Sequence, residues 1–232
     1  MMVRRPEGVK EIEEIYRTAL EGLQIDFSRV MGPQIYDVMR KLVVQNSLAP
    51  GTPIYEAKFA EILGVSRTPL RAALQQMAKE GLIETRPQVG SIVAPVDPEK
   101  IVSAVFCRSA LETAVVRRLA ELPQFDPKPF RRILAAQEDF SSRDDYIGFF
   151  EVDEAFHAQL AETAGVPEAW RLILSNKTHV DRARLSLQSA IPGRAAVAYR
   201  EHLDIMAALE KGEPELAAQY MDKHVRSALD II

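Results

Sequence analysis

The chain has 232 residues, of which 47% are hydrophobic and 27% charged, a profile that suits one large globular domain or two small ones and excludes a disordered or fibrous chain. No run approaches the roughly 18 apolar residues of a membrane span, and Arg4 and Arg5 lead into Glu7 and Lys10, not an apolar signal core, so a cytoplasmic protein with no membrane partner is expected. The single cysteine, Cys107, excludes an intramolecular disulfide and any multi-cysteine zinc site, while the net charge of −4 argues at first against nucleic acid.

Along the chain the charge is uneven. Residues 1–30 carry 5 basic and 6 acidic residues, 31–96 carry 7 and 5, and 97–232 carry 17 and 22. Only the middle segment is net basic, as expected if one domain meets polyanions and another does not. Within 1–30, the positions Ile12, Ile15, Tyr16, Ala19, Leu20 and Leu23 form a helical stripe. This extension is read as an added helix that packs on the dimer or on a neighbouring domain.

From 31 to 96 Gly and Pro punctuate the chain closely, which predicts a compact unit of short elements. Ile35, Val38, Met39, Leu42 and Val43 repeat at helical spacing. A second helix over Glu56 to Leu63 ends at Gly64, and Ser66 is placed to cap a third, Arg67 to about Lys79. A three-residue turn between two helices, with the small Ala60 where they would approach, is helix-turn-helix spacing. In the third helix Leu70, Leu74 and Met77 make a buried stripe, leaving Arg67, Thr68, Arg71 and Gln75 on the opposite face, where a DNA groove can meet them. After Gly81 the period changes: Leu82 to Arg86 and Ser91 to Ala94 are β-capable runs around Pro87-Gln88-Val89-Gly90, a two-stranded wing with Gly90 at its tip. Two isolated arginines would more often be surface ion pairs; the complete helix, turn, helix and wing favours a DNA reader.

This stretch, above all Gly64-Val65-Ser66-Arg67-Thr68-Pro69-Leu70-Arg71 followed by Lys79-Glu80-Gly81-Leu82-Ile83 and Pro87-Gln88-Val89-Gly90, resembles the winged helix-turn-helix of the GntR family of bacterial transcription regulators. The resemblance implies that Arg67 and Arg71 contact double-stranded operator DNA. Some members carry an arginine where this chain has Ala57.

Ala94-Pro95-Val96-Asp97-Pro98 bars helix, so the domain boundary is placed there, with Asp97 capping the helix that Pro98 opens. Residues 97–232 read as nearly all helix, and all four histidines lie here. Asp153 and His157 stack four apart on a stripe with Phe149, Leu160 and Ala161; His202 shares the stripe of Ala198, Ile205, Met206 and Leu209; His224 shares that of Tyr220, Met221 and Ala228. Any one of these is more often a satisfied core histidine. Together, three nitrogens and an oxygen on packed helices suit a divalent metal. Asp153-Glu154-Ala155-Phe156-His157, then Glu201-His202 and His224, is similar to the metal-binding pattern of the FCD domain, the all-helical effector domain of FadR-type GntR regulators. That resemblance implies Asp153, His157, His202 and His224 as ligands, with Zn²⁺ or Ni²⁺ the divalent ions that suit three imidazoles and a carboxylate, and a small organic acid as effector. Arg108 in Arg108-Ser109-Ala110-Leu111-Glu112 resembles a family arginine; it either clamps an effector carboxylate or pairs with Glu112 at i+4. Cys107 is read as a buried small hydrophobe and His179 as facing water or lining the pocket.

The expected fold is mainly α: a winged helix-turn-helix domain at 31–96, an effector-binding and dimerisation bundle at 97–232, and the 1–30 extension. The function this supports is a homodimeric, ligand-responsive repressor or other transcription regulator. The alternatives are a metal-dependent enzyme acting on small carboxylates, for which no general base is evident, and a regulator whose metal is purely structural.

Overall fold

In the computed structural model the described residues are 9–86, 90–187 and 190–230. The chain divides into two compact units, Met1–Val96 and Asp97–Ile232. Among the described residues no helix is long and apolar enough to cross a membrane.

In the first unit, α1 (Val9–Leu20), α2 (Met31–Val44), α3 (Glu56–Leu63) and α4 (Arg67–Lys79) pack with three short strands, β1 (Pro53–Ile54), β2 (Ile83–Arg86) and β3 (Gly90–Val93). Pro33 sits in the first turn of α2, where a missing N–H costs nothing. Helix α3 closes on Gly64 at φ 69°, which lets the Val65 N–H reach the Ala60 carbonyl at 3.0 Å and turns the chain into α4. Ser66 stands at the N-cap of α4 in extended conformation, but its side chain makes no capping bond. The wing has three strands in the order β1-β3-β2, all antiparallel, with Pro53 opposite Ile92 and Arg86 opposite Gly90. A two-residue strand containing a proline has no sequence period to betray it; β1 exists because β3 pairs with it. Pro87, Gln88 and Val89 of the expected wing tip lie outside the described residues.

Of the two placements expected for the 1–30 helix, α1 takes the one on the domain that follows it. It packs on α3 of its own unit, and its apolar stripe is consumed there: Ile12 and Tyr16 are fully buried in the same core as Ile35, Met39, Phe59, Leu70 and Met77. Tyr16 meets the Phe59 ring edge-on at 4.7 Å. Its hydroxyl donates to the Pro53 carbonyl at 2.6 Å and accepts the Tyr55 N–H at 3.0 Å, while Glu13 pairs with Lys58 at 3.1 Å. One phenol therefore joins α1 to β1 and to the start of α3, and burial pushes its pKa up to about 12.

The second unit is a bundle of α5 (Pro98–Ala120), α6 (Lys128–Ser142), α7 (Tyr146–Thr163), α8 (Pro167–Asn176), α9 (Thr178–Leu187), α10 (Arg194–Glu210) and α11 (Pro214–Arg226), ended by a 3-10 turn over Ser227–Leu229. Asp97 caps α5 as expected, accepting from Glu99 N–H at 3.0 Å and Lys100 N–H at 3.4 Å. The long α5 lies chiefly against α11, α10 also packs on α11, and α6 on α7. Cys107 is exposed, contrary to expectation. The buried face of α5 runs through Ile101, Ala104, Val105, Arg108, Ser109 and Glu112, and Cys107 falls beside exposed Phe106 on the other side.

Replacing Tyr16 by Phe keeps the ring packing but leaves the Tyr55 N–H and Pro53 carbonyl without their shared partner. The expected result is a loss of about 1–2 kcal/mol in the stability of the winged unit, with faster hydrogen exchange at the Tyr55 amide. Unchanged exchange there would refute the role of the hydroxyl.

Candidate metal centre and DNA-reading face

Helix α4 presents the face its apolar spacing implied. Leu70, Leu74 and Met77 are buried, and Arg67, Thr68, Arg71 and Gln75 are exposed. Gly90, exposed at the start of β3 with φ 86°, has nothing within 4 Å of where a Cβ would stand. Arg71 is engaged by a residue the sequence did not point to: Oε2 of Glu56, at the first turn of α3, accepts from Arg71 Nε at 3.1 Å and Nη2 at 2.8 Å. The partners lie 15 residues apart, so only the crossing of the two helices brings them together.

In the bundle, α7 supplies Asp153 and His157 from one face, α10 supplies His202 and α11 supplies His224. All four are buried, and one ligand atom from each lies within 4.8 Å of every other. His224 Nε2 is 3.2 Å from both His202 Nε2 and His157 Nε2, and His202 Nε2 is 3.6 Å from Asp153 Oδ1. The three expected imidazoles and the carboxylate thus converge on one point.

The outer nitrogens explain why the inner ones point inward. Gln137 Nε2 donates to the Val152 carbonyl at 3.1 Å, which fixes the amide so that its oxygen faces His202 Nδ1 at 2.9 Å. His202 must therefore carry its proton on Nδ1. Glu201 Oε2 lies 2.9 Å from His224 Nδ1, and Glu112 Oε2 lies against His157 Nδ1; a carboxylate only accepts, so these rings too hold a proton on Nδ1. Burial drives the pKa of His202 well down, with neighbouring His224 adding to it, and burial lowers His224 despite the opposing bond from Glu201. Rings so oriented turn their Nε2 atoms toward one another.

Asp153 is the fourth donor. Its Oδ1 has no hydrogen-bond donor, and its Oδ2 pairs with buried Arg184 Nη1 at 2.9 Å. Burial alone would raise this carboxyl; Arg184, with the imidazoles, outweighs burial and holds it well below the usual carboxylate range. Arg184 Nε also donates to the Tyr146 hydroxyl at 3.1 Å, so the guanidinium is fixed from both sides. Aromatic walls keep the cluster dry: Phe156 stacks on His202 at 4.2 Å and Trp170 on His157 at 6.0 Å. Three nitrogens and one oxygen, each with its far side already satisfied, fit a borderline divalent cation.

Arg108 is buried and donates through Nε to Glu112 Oε1 at 2.7 Å, the same carboxylate that holds His157. The i+4 pair is therefore real, but it lies in the interior, behind a cluster histidine. His179 does not face water: it is buried, and its Nδ1 accepts the Asp97 N–H at 3.4 Å. Helix α9 places Arg184 at the cluster and His179 at the residue that opens the unit. Sequence reasoning missed Gln137, Glu201 and Arg184 as supports. A polar residue on an apolar helical face was the available signal for Gln137; Arg184 had none, because α9 is polar and buried nearly all round.

A helix-turn-helix with a β wing, in one chain with an all-helical unit enclosing this cluster, is the make-up of a DNA-binding transcription regulator. Residues 32–93 match the bacterial regulatory proteins of the gntR family, and residues 104–227 match the FCD domain. The chain belongs to the GntR family, as a DNA-binding transcriptional regulator of the FCD type, and is not an enzyme. It is 33% identical over 205 residues to the HTH-type transcriptional repressor RspR of Escherichia coli K12, covering 88% of this chain and 89% of RspR. It is 37% identical over 201 residues to an HTH-type transcriptional regulator in an unstable DNA locus of Streptomyces ambofaciens, covering 85% and 83%. Among solved structures, a GntR regulator from Rhodococcus sp. RHA1 shares the fold with a TM-score of 0.73 at 21% identity, covering 86% of this chain and 96% of that one.

Gln137→Leu removes the acceptor for His202 Nδ1–H and leaves it buried and unpaired. Chemical unfolding in the presence of chelator is expected to show a loss of about 1–3 kcal/mol; no loss would mean that another acceptor takes the proton.

Proposed function

We propose that this regulator is a homodimeric repressor that binds a roughly palindromic operator, and that its helical unit holds a divalent metal ion and, with it, a small organic acid that modulates DNA binding. The observation that carries this reading is the convergence of His157, His202 and His224 Nε2 with Asp153 Oδ1, four atoms that can each offer an electron pair to one cation. Zn²⁺ and Ni²⁺ suit such a set, and an ion accepting more than four ligands has positions left for the carboxylate oxygens of an acid. Arg108, already committed to Glu112, meets an effector only by releasing it, so in this reading it first serves to brace His157. Repression is supported by RspR and by a relative 31% identical over 199 residues, a probable D-xylose utilization operon transcriptional repressor of Paenarthrobacter nicotinovorans.

In the same reading residues 31–96, braced by the helix of the 1–30 extension, meet the DNA. Arg67, Thr68, Arg71 and Gln75 enter the major groove and Gly90 brings the wing to the backbone, while residues 97–232 bind effector and dimerise. Effector and operator are coupled only if the two DNA-binding states differ in affinity for the ligand.

Metal analysis of protein purified without chelator is expected to find about one zinc or nickel ion per chain, and His202→Ala combined with His224→Ala to remove it with helical content retained. Protein that takes up neither ion on reconstitution would overturn the metal assignment. If chelation lowers the unfolding temperature yet leaves operator affinity and its response to organic acids unchanged, the ion is structural only.

Arg67→Ala with Arg71→Ala is expected to weaken operator binding by more than about a hundredfold at fixed salt, with the unfolding midpoint unchanged. Undiminished affinity would sink the reading of α4 as the recognition helix.

A further inference from the structure

We propose that Glu56 is a positioning residue for DNA recognition, holding Arg71 in the orientation that reads a guanine. The proposal rests on the reading of Arg71 as a DNA contact and adds how it is used. A guanidinium has two edges that can offer parallel N–H bonds, one formed by Nε and Nη2 and the other by the two Nη groups. Oε2 of Glu56 occupies the first, at 3.1 Å from Nε and 2.8 Å from Nη2. What remains for DNA is the outer edge, Nη1 with Nη2, whose two parallel donors match O6 and N7 of guanine in the major groove.

Glu56 is itself pinned. It begins α3 directly after Tyr55, whose N–H is held at 3.0 Å by the buried Tyr16 hydroxyl from α1. A second tie between the same helices, Glu13 to Lys58 at 3.1 Å, fixes α3 from the side. The carboxylate that grips Arg71 is thus mounted on the core, and the gripped side chain, 60% exposed, projects from it. Arg67, one turn earlier, is exposed and has no such carboxylate partner among the described residues, so the two arginines of α4 are not equivalent.

The carboxylate has an opposing effect on phosphates. A negative charge beside the reading helix repels the DNA backbone and weakens sequence-independent binding, which depends on net positive charge. Glu56 should therefore act in opposite directions on the two kinds of binding: it favours discrimination at one base position and disfavours general affinity. A residue that merely supported the fold would lower both when removed.

The test selects binding sites from a randomised duplex pool with the full-length protein and with its Arg71→Ala, Glu56→Ala and Glu56→Gln variants, and measures affinity for a duplex of unrelated sequence. The expected result is a guanine preference of about tenfold or more at one position, lost in Arg71→Ala, reduced to under about threefold in Glu56→Ala at that position only, and intermediate in Glu56→Gln. Affinity of Glu56→Ala for unrelated duplex should rise, with the unfolding midpoint retained. Loss of the preference in Arg71→Ala but not in Glu56→Ala overturns the positioning role. A uniform fall in preference at every position, or a fall in both kinds of affinity, also overturns it by making Glu56 a fold residue. Arg71→Ala that keeps every preference removes the base-reading assignment of Arg71 itself, a failure distinct from that of Glu56.

Discussion

Three imidazole Nε2 atoms and a carboxylate oxygen that face one another in a dry interior repel unless a cation lies among them, and the helical unit is organised around holding them there. The work is done from outside the cluster. Gln137, Glu201 and Glu112 each take the outer Nδ1–H of one ring, and Arg184 takes the outer oxygen of Asp153. Each of these supports stands on a different helix from the cluster residue it orients, Glu201 included, which shares α10 with His202 but serves His224 on α11. Bringing the ligands together therefore requires α5, α6, α7, α9, α10 and α11 to be packed correctly at once. A buried polar network of this kind stabilises one arrangement because any partial version leaves a group unpaired.

Helix α9 follows from the same constraint. A helix with Asp181, Arg182 and Arg184 all buried is intelligible only if each charge meets a partner, and Lys177 with Asp181, at 2.6 Å, and Arg184 with Asp153 supply such pairs. Burial lowers the pKa of Lys177 to about 8 despite Asp181 beside it, a measure of how dry this part of the unit is. At its other end α9 holds the Asp97 N–H through His179.

The winged unit uses a charged pair at its surface for a different purpose. There the Glu56 and Arg71 contact is half-exposed and contributes little to stability, but it fixes the direction in which the Arg71 side chain projects from α4. Its foundation is the Tyr16 hydroxyl, so the 1–30 extension belongs to the architecture of the reading face.

Most of the helices were legible because each carries its apolar residues at helical spacing, and the four cluster residues because Asp153, His157, His202 and His224 each interrupt such a stripe with a group that needs a partner. The face of α4 was legible for the converse reason: Leu70, Leu74 and Met77 leave Arg67, Thr68, Arg71 and Gln75 nowhere to go but outward. Strand β1, the solvent-facing side of Cys107 and the burial of His179 were not legible, since each depends on which neighbour arrives. The sequence by itself determined the two-part organisation, the helix faces and the chemistry of the ligand set, because these are periodic or compositional properties of local chain. Tertiary structure alone decided that α1 braces α3, that Glu56 grips Arg71, that Arg108 stands behind His157, and which partner orients each ring, because these contacts join residues 15 to 65 positions apart, and only packing sets which of many polar groups meet.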